Sequence, residues 1–203
     1  NMKKLFLTSI FAQVADKLAP LVPNPKGMKA AFIPTARDPY EKSPWADIDF
    51  HKLQEIGFET AMYDIKGKTE EQIYNDLKKF DVIFVCGGNT FYLLYHARQS
   101  GFDKAVIRLI NEGKVYIGSS AGSLLVGPSL EPIKNLDKIS AAPELKSLVG
   151  LNIVNIIVLP HFDTEKYRER NEKALRDYKD QFKMIAINDD QAVIVEGDNY
   201  KVV

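Results

Sequence analysis

The chain holds a single cysteine, Cys86, which excludes an internal disulfide and a multi-cysteine metal centre. A charge excess of one sign is missing as well. Twenty-seven Lys and Arg residues balance 27 Asp and Glu, so the basic surplus of a general nucleic-acid binder is absent. Long apolar runs are also lacking: Ile153 to Leu159 is interrupted by Asn155 and falls well short of the roughly 20 residues that span a bilayer. Met2-Lys3-Lys4 is followed by only three apolar residues before Thr8, too few for the apolar region of a secretory signal. Asn1, ahead of Met2, reads as a remnant of cloning. The expectation is a cytoplasmic protein with neither membrane nor nucleic acid as partner, and either a monomer or a homodimer.

At 203 residues, 45% hydrophobic and 27% charged, the chain is sized and composed as one ordinary globular domain spanning residues 1–203. Short β-rich runs alternate with helical segments, the pattern of a parallel α/β sheet. Strands are expected at Leu5 to Thr8, Ala30 to Thr35, Thr60 to Ile65, Asp81 to Cys86, Val115 to Gly118 and Ile153 to Leu159. Three short strands, Met184 to Ile187, Ala192 to Glu196 and Tyr200 to Val203, close the chain. Between them, Ile10 to Leu18 reads as a helix, Ser43-Pro44 starts another, and Thr69 with Gln72 forms a capping box. Further helices cover Thr90 to Gln99, Asp103 to Asn111 and Thr164 to Lys179.

Gly118-Ser119-Ser120-Ala121-Gly122 matches the G-x-S-x-G nucleophile elbow and falls between a predicted strand and a predicted helix, the setting that motif requires. The spacing selects Ser120 over the neighbouring Ser119 and Ser123. A serine needs a base to become a nucleophile, and histidine is scarce: His51, His96 and His161 are the three present. His51 and His96 fall inside helices, where solvated or packed roles are ordinary. His161 follows the strand ending at Leu159, which puts it at a carboxyl end of the sheet together with Ser120. Gly87-Gly88-Asn89-Thr90 ends another buried strand. Its glycines allow close backbone approach, so an exposed amide in this segment could join that of Ala121 in an oxyanion hole. Asn89 reads as the cap of the following helix and as a substrate-facing residue, two roles that can hold together. For the acid that orients the imidazole, Asp137 lies in the loop after the elbow helix and Asp189 ends the Met184 to Ile187 strand. Arg168 and Arg170, beside the expected base, are candidates for holding an acidic substrate, although Glu165, Glu169 and Glu172 alternate with them as on a solvated face.

Val85-Cys-Gly-Gly-Asn-Thr-Phe91, Gly118-Ser-Ser-Ala-Gly122, Pro160-His-Phe162 and Ala186-Ile-Asn-Asp-Asp-Gln-Ala-Val193, in that order, resemble the landmarks of the peptidase E family, which includes cyanophycinases. The resemblance spans nearly the whole chain. It implies a three-layer α/β sandwich of flavodoxin-like or class I glutamine-amidotransferase-like type, a Ser-His pair, no cofactor, and a small peptide as substrate, dipeptides with N-terminal Asp among them. It assigns Ser120 as nucleophile, His161 as base, and Gly88 with Ala121 as oxyanion donors. For the acid it favours Asp137, because the family usually draws that residue from the loop after the elbow, with Asp189 as the alternative. Two other classes stay open: a different small-acyl hydrolase, such as an esterase or isopeptidase, and a non-catalytic binding protein.

Overall fold

A computed structural model describes residues 2–203, and Asn1 lies outside them. The main sheet has seven strands in the order β3-β2-β4-β5-β1-β8-β9. They are β1 (Lys4–Thr8), β2 (Lys29–Ile33), β3 (Glu59–Met62), β4 (Val82–Val85), β5 (Val115–Ser119), β8 (Ala192–Glu196) and β9 (Asn199–Val202). The first five run parallel, while β8 pairs antiparallel with β1 and β9 antiparallel with β8. The central strands read as continuous apolar runs because both faces are covered. Leu5, Leu7, Ile83, Val85 and Tyr116 pack on one face, and Phe6, Phe32, Phe84 and Ile117 on the other, following the period-two alternation of strand side chains. The result is the expected three-layer α/β sandwich with a mostly parallel centre.

Helices α1 (Phe11–Val14) and α2 (Pro44–Glu55) bury their apolar residues in the second core. Helices α3 (Glu70–Leu77), α4 (Thr90–Ser100), α5 (Phe102–Asn111) and α6 (Ala121–Leu125) contribute to the first. The Thr69 and Gln72 capping box forms at the start of α3. Among the described residues no helix is long and apolar enough to cross a membrane.

Two expectations need correction. Ile10 to Leu18 is not one helix: four residues of α-helix give way to a 3-10 turn, Ala15–Leu18, before the run of prolines begins. The strand predicted over Ile153 to Leu159 is cut to β6 (Ile157–Leu159), and it does not join the main sheet. It pairs in parallel with β7 (Met184–Ala186) as a separate two-stranded sheet, linked by α7 (Glu165–Tyr178). That small sheet positions the site, because Leu159 and Ala186 are register partners and the backbone bonding continues past both: Ile187 N donates to Leu159 O at 3.0 Å and Phe162 N to Ile187 O at 3.0 Å. Residues just beyond the two strands, His161 and Asp189, are thereby brought alongside each other.

The turn after β5 is held from beneath by Tyr116, which is fully buried and donates its hydroxyl to Gly122 O at 2.7 Å. Replacing Tyr116 with Phe removes this donor and leaves a buried carbonyl without its partner. The expected loss is about 1–2 kcal/mol, read as a lower urea midpoint with an unchanged slope. An unchanged midpoint would show that the bond adds nothing to the elbow's stability.

Candidate active site

The elbow is built by backbone contact. A Cβ on Gly118 would stand 2.6 Å from the Gly122 carbonyl carbon, and one on Gly122 would stand 2.1 Å from Val85 O, so α6 can lie this close to β4 and β5 only with glycine at both positions. Ser120 between them has φ 53° and ψ −104°, a conformation that costs a non-glycine residue on the order of 1–3 kcal/mol and is typical of functional turns. Its backbone N–H is fastened to Thr8 O at 2.9 Å. The neighbouring serines have structural bonds instead. Ser123 Oγ lies 2.8 Å from Thr8 O and accepts from Thr8 N at 2.9 Å, and Ser119 Oγ accepts from Phe11 N at 3.3 Å.

His161 meets Ser120 directly. Its Nε2 lies 2.9 Å from Ser120 Oγ and its Nδ1 lies 2.6 Å from Asp189 Oδ1. A carboxylate can only accept, so Nδ1 carries the ring hydrogen toward Asp189, and Nε2 presents its lone pair to the serine hydroxyl. Both partners of the pair are about four-fifths buried, at 19% and 20% side-chain exposure, which shields their interaction from bulk water. His161 is itself held at φ 61°. Its N–H donates to Ser9 Oγ at 2.9 Å, and that hydroxyl donates to Asn188 O at 3.2 Å. Ser9 therefore ties the end of β1 to both the histidine and the segment carrying Asp189. Tyr167 of α7 stacks on the imidazole with ring centroids 5.3 Å apart, and Asn171, one helical turn further on, donates to Pro160 O at 2.9 Å.

The preference for Asp137 as the imidazole's partner is corrected by this geometry. Asp137 Oδ2 accepts from the Thr90 N–H at 2.9 Å and the Thr90 hydroxyl at 2.6 Å, so its bonds run to the head of α4, while β6–β7 pairing delivers Asp189 to Nδ1. Arg168 and Arg170 are corrected as well. Arg168 donates to Asp163 O and Arg170 to Leu136 O, both exposed, because the face of α7 turned toward the site is that of Tyr167 and Asn171. Lys166, two residues before Arg168 on the same helix, lines the cleft. Asn89 is buried and committed to the protein: it caps α4 by accepting from Tyr92 N and donates to Lys138 O at 2.9 Å. His51 bonds Gln54 on the surface, and His96 packs against Tyr92 and Tyr95, away from the cleft.

The cleft around Ser120 and His161 has a volume of about 630 Å³, and its walls include Gly87, Gly88, Tyr40, Trp45, Asp49, Asp137, Lys166 and Tyr167. Gly88 adopts φ +145° against the Ala36 carbonyl, where a Cβ would come within 2.0 Å, and Trp45 Nε1 donates to Gly87 O at 2.9 Å. Ala121 is the first residue of α6, and its amide has no acceptor within the helix. Cys86 is buried behind the site, and burial pushes its thiol up to about 12, which keeps it protonated and unreactive. Ser9, Tyr167 and Asn171 escaped sequence reasoning. The signal that could have found Tyr167 and Asn171 was their spacing at i, i+4 on the helix after the histidine, whereas Ser9, one polar residue after a strand, offered none.

A model of peptidase family S51 matches residues 5–203. An uncharacterized peptidase from Listeria innocua is 32% identical over 197 residues, covering 97% of this chain and 94% of that protein. Peptidase E of Streptomyces coelicolor is 28% identical over 86% of this chain and 70% of its own. A crystal structure of a Listeria monocytogenes protein described as a candidate peptidase E superimposes with a TM-score of 0.93 at 30% identity, covering 100% of this chain and 98% of that one.

One buried group in the wall predicts a pH dependence. Asp49 of α2 is 2% exposed and accepts from Ala12 N at 3.0 Å. Burial pushes its carboxyl up to about 6, against the lowering effect of bonds from Ser119 and Ala12. The group is raised from about 4 in the unfolded chain, so its stabilising effect is complete below about pH 4 and is lost as pH rises through about 6. Asp49→Asn should therefore flatten the fall in unfolding free energy between about pH 4 and about pH 7, by up to about 3 kcal/mol. Urea titrations of both proteins at the two pH values check this, and parallel slopes would refute it.

Proposed function

The chain belongs to peptidase family S51, and on that premise we propose that it is a single-domain, cytoplasmic serine peptidase that hydrolyses very small peptides through an acyl-enzyme on Ser120. The observation that carries this reading is the continuous chain Ser120 Oγ, His161 Nε2, His161 Nδ1, Asp189 Oδ1, with links of 2.9 and 2.6 Å. Ser120 Oγ attacks the scissile carbonyl carbon as its proton passes to His161 Nε2. Asp189 holds the ring in the tautomer that can take that proton and stabilises the imidazolium that results. The tetrahedral oxyanion is received by the amides of Ala121 and Gly88. As it collapses, the carbon–nitrogen bond breaks and His161 returns its proton to the leaving amine. Water then repeats the sequence on the ester, with His161 as base, and frees Ser120.

The substrate is a dipeptide, with those bearing N-terminal Asp in the preferred class. Support comes from the size of the cleft and from Lys166, an exposed ammonium at its wall, available for a substrate carboxylate. An esterase or isopeptidase would use the same residues, and hydrolysis of Asp-linked against Ala-linked and ester substrates separates these classes.

Ser120→Ala should lower kcat on the order of 10⁴-fold or more with little change in stability. Asp189→Asn should cost on the order of 10⁴-fold by leaving the wrong nitrogen protonated. Steady-state kinetics and labelling by a fluorophosphonate probe check both, and an active Ser120→Ala enzyme would end the serine reading. Lys166→Ala should reduce kcat/KM for Asp-X dipeptides about two- to fivefold more than for Ala-X. Equal losses on the two would remove Lys166 from substrate recognition.

A further inference from the structure

Asp137 is left without the catalytic position that its place in the sequence suggested, yet it lines the same cleft as Ser120 and His161. Only one of its two carboxylate oxygens is engaged: Oδ2 takes both bonds from Thr90, and Oδ1 has no hydrogen-bond partner among the described residues. Burial raises the carboxyl above its usual range, against the lowering effect of the two bonds from Thr90. Asn171, fully buried in the same wall, donates to Pro160 O and has an oxygen with no partner. Asp49 adds a third acceptor to the lining, against one cation, Lys166, at the exposed margin. A wall so rich in acceptors suits a donor that carries positive charge.

We propose that Asp137 receives the protonated amino terminus of the substrate and so restricts the enzyme to peptides with a free α-amine, an assignment that rests on the serine-peptidase reading above. The chemistry requires the two sites to be neighbours. In a substrate cleaved after its first residue, the ammonium is borne by the carbon next to the scissile carbonyl, so an acceptor for it must stand in the wall that flanks Ser120. The exchange is one of specificity. A bound ammonium supplies the partner that Asp137 Oδ1 lacks, and an acylated amine loses that charge and leaves the half-buried carboxylate facing an uncharged group. The loop that carries Asp137 is pinned for this role by Asn89, which donates to Lys138 O, and by Thr90. Tyr40 stands across from it, its hydroxyl raised first by burial and then by the charge of Asp137.

The test compares aspartyl p-nitroanilide with succinyl p-nitroanilide, which lacks only the amine, and with the N-acetyl derivative. The wild-type enzyme should favour the free amine by about 10²-fold or more in kcat/KM. Asp137→Asn, which keeps an oxygen for the Thr90 bonds, should reduce that preference to within about tenfold; a variant that keeps the wild-type ratio overturns the proposal. Binding to the full-length Ser120→Ala protein, measured by calorimetry, gives a second reading that needs neither turnover nor a folded Asp137 variant. Aspartic acid amide should bind about 10²-fold more tightly than succinic acid monoamide, and equal affinities overturn the proposal. Should the wild-type protein resist the fluorophosphonate probe while Ser120→Ala still discriminates between the two amides, the amine subsite stands and the serine-peptidase reading falls.

Discussion

The site depends on how closely helix α6 lies against strands β4 and β5. Gly122 approaches the Val85 carbonyl and Gly118 approaches Gly122 at distances that exclude any side chain, and the chain between them must reverse so sharply that Ser120 takes a positive φ. The side chain of Ser120 is thereby lifted out of the strand and into the cleft, while its amide stays bound to β1. The cost of that backbone is met by the packing around it: Tyr116 beneath, Ser123 bonded to Thr8, and strands on either side that are buried on both faces. Strain in a non-glycine residue persists only where its surroundings over-determine it, and here three neighbouring elements do so.

A second constraint brings the remaining groups to the serine. His161 and Asp189 belong to the small β6–β7 sheet, and their contact is secured by parallel pairing within it. The alignment of that sheet with the elbow falls to Ser9, whose single hydroxyl accepts from His161 N and donates to Asn188 O. The electrostatics follow from the same arrangement, because Asp163 Oδ1 accepts the Asp189 N–H at 3.2 Å and Tyr167 covers the imidazole, so the pair is oriented and partly screened from water.

How far the sequence could be read varied with the range of the interaction. The elbow was legible because its constraint is local: glycines two residues either side of a serine, at a strand-to-helix turn, encode a backbone shape directly. His161 was legible by elimination among three histidines. Asp189 was harder, since 28 positions separate it from His161 and nothing in that interval marks β6 and β7 as partners; the loop aspartate nearer the elbow drew the preference instead. Arg168 and Arg170 were misplaced by rotation. Two residues of one helical stretch differ by about 200° around the axis, and which face turns inward was decided by the packing of Ala174 and Asn171, which their spacing showed only once the helix was docked. Ser9 carried no signal of its own, as one polar residue after a strand resembles many others.

Dividing the reactive groups between two sheets gives the molecule a modular inheritance. The nucleophile is a property of the large sheet and the base–acid pair a property of the small one, while the segment between α6 and β6, which supplies Leu136 and Asp137 to the cleft wall, belongs to neither. Insertions, deletions and substitutions in that segment remodel the surface a ligand meets and leave the serine, the imidazole and their carboxylate in register. A lineage built on this plan can diversify what it accepts while its bond-breaking apparatus stays constant, because the two are written in separate stretches of chain.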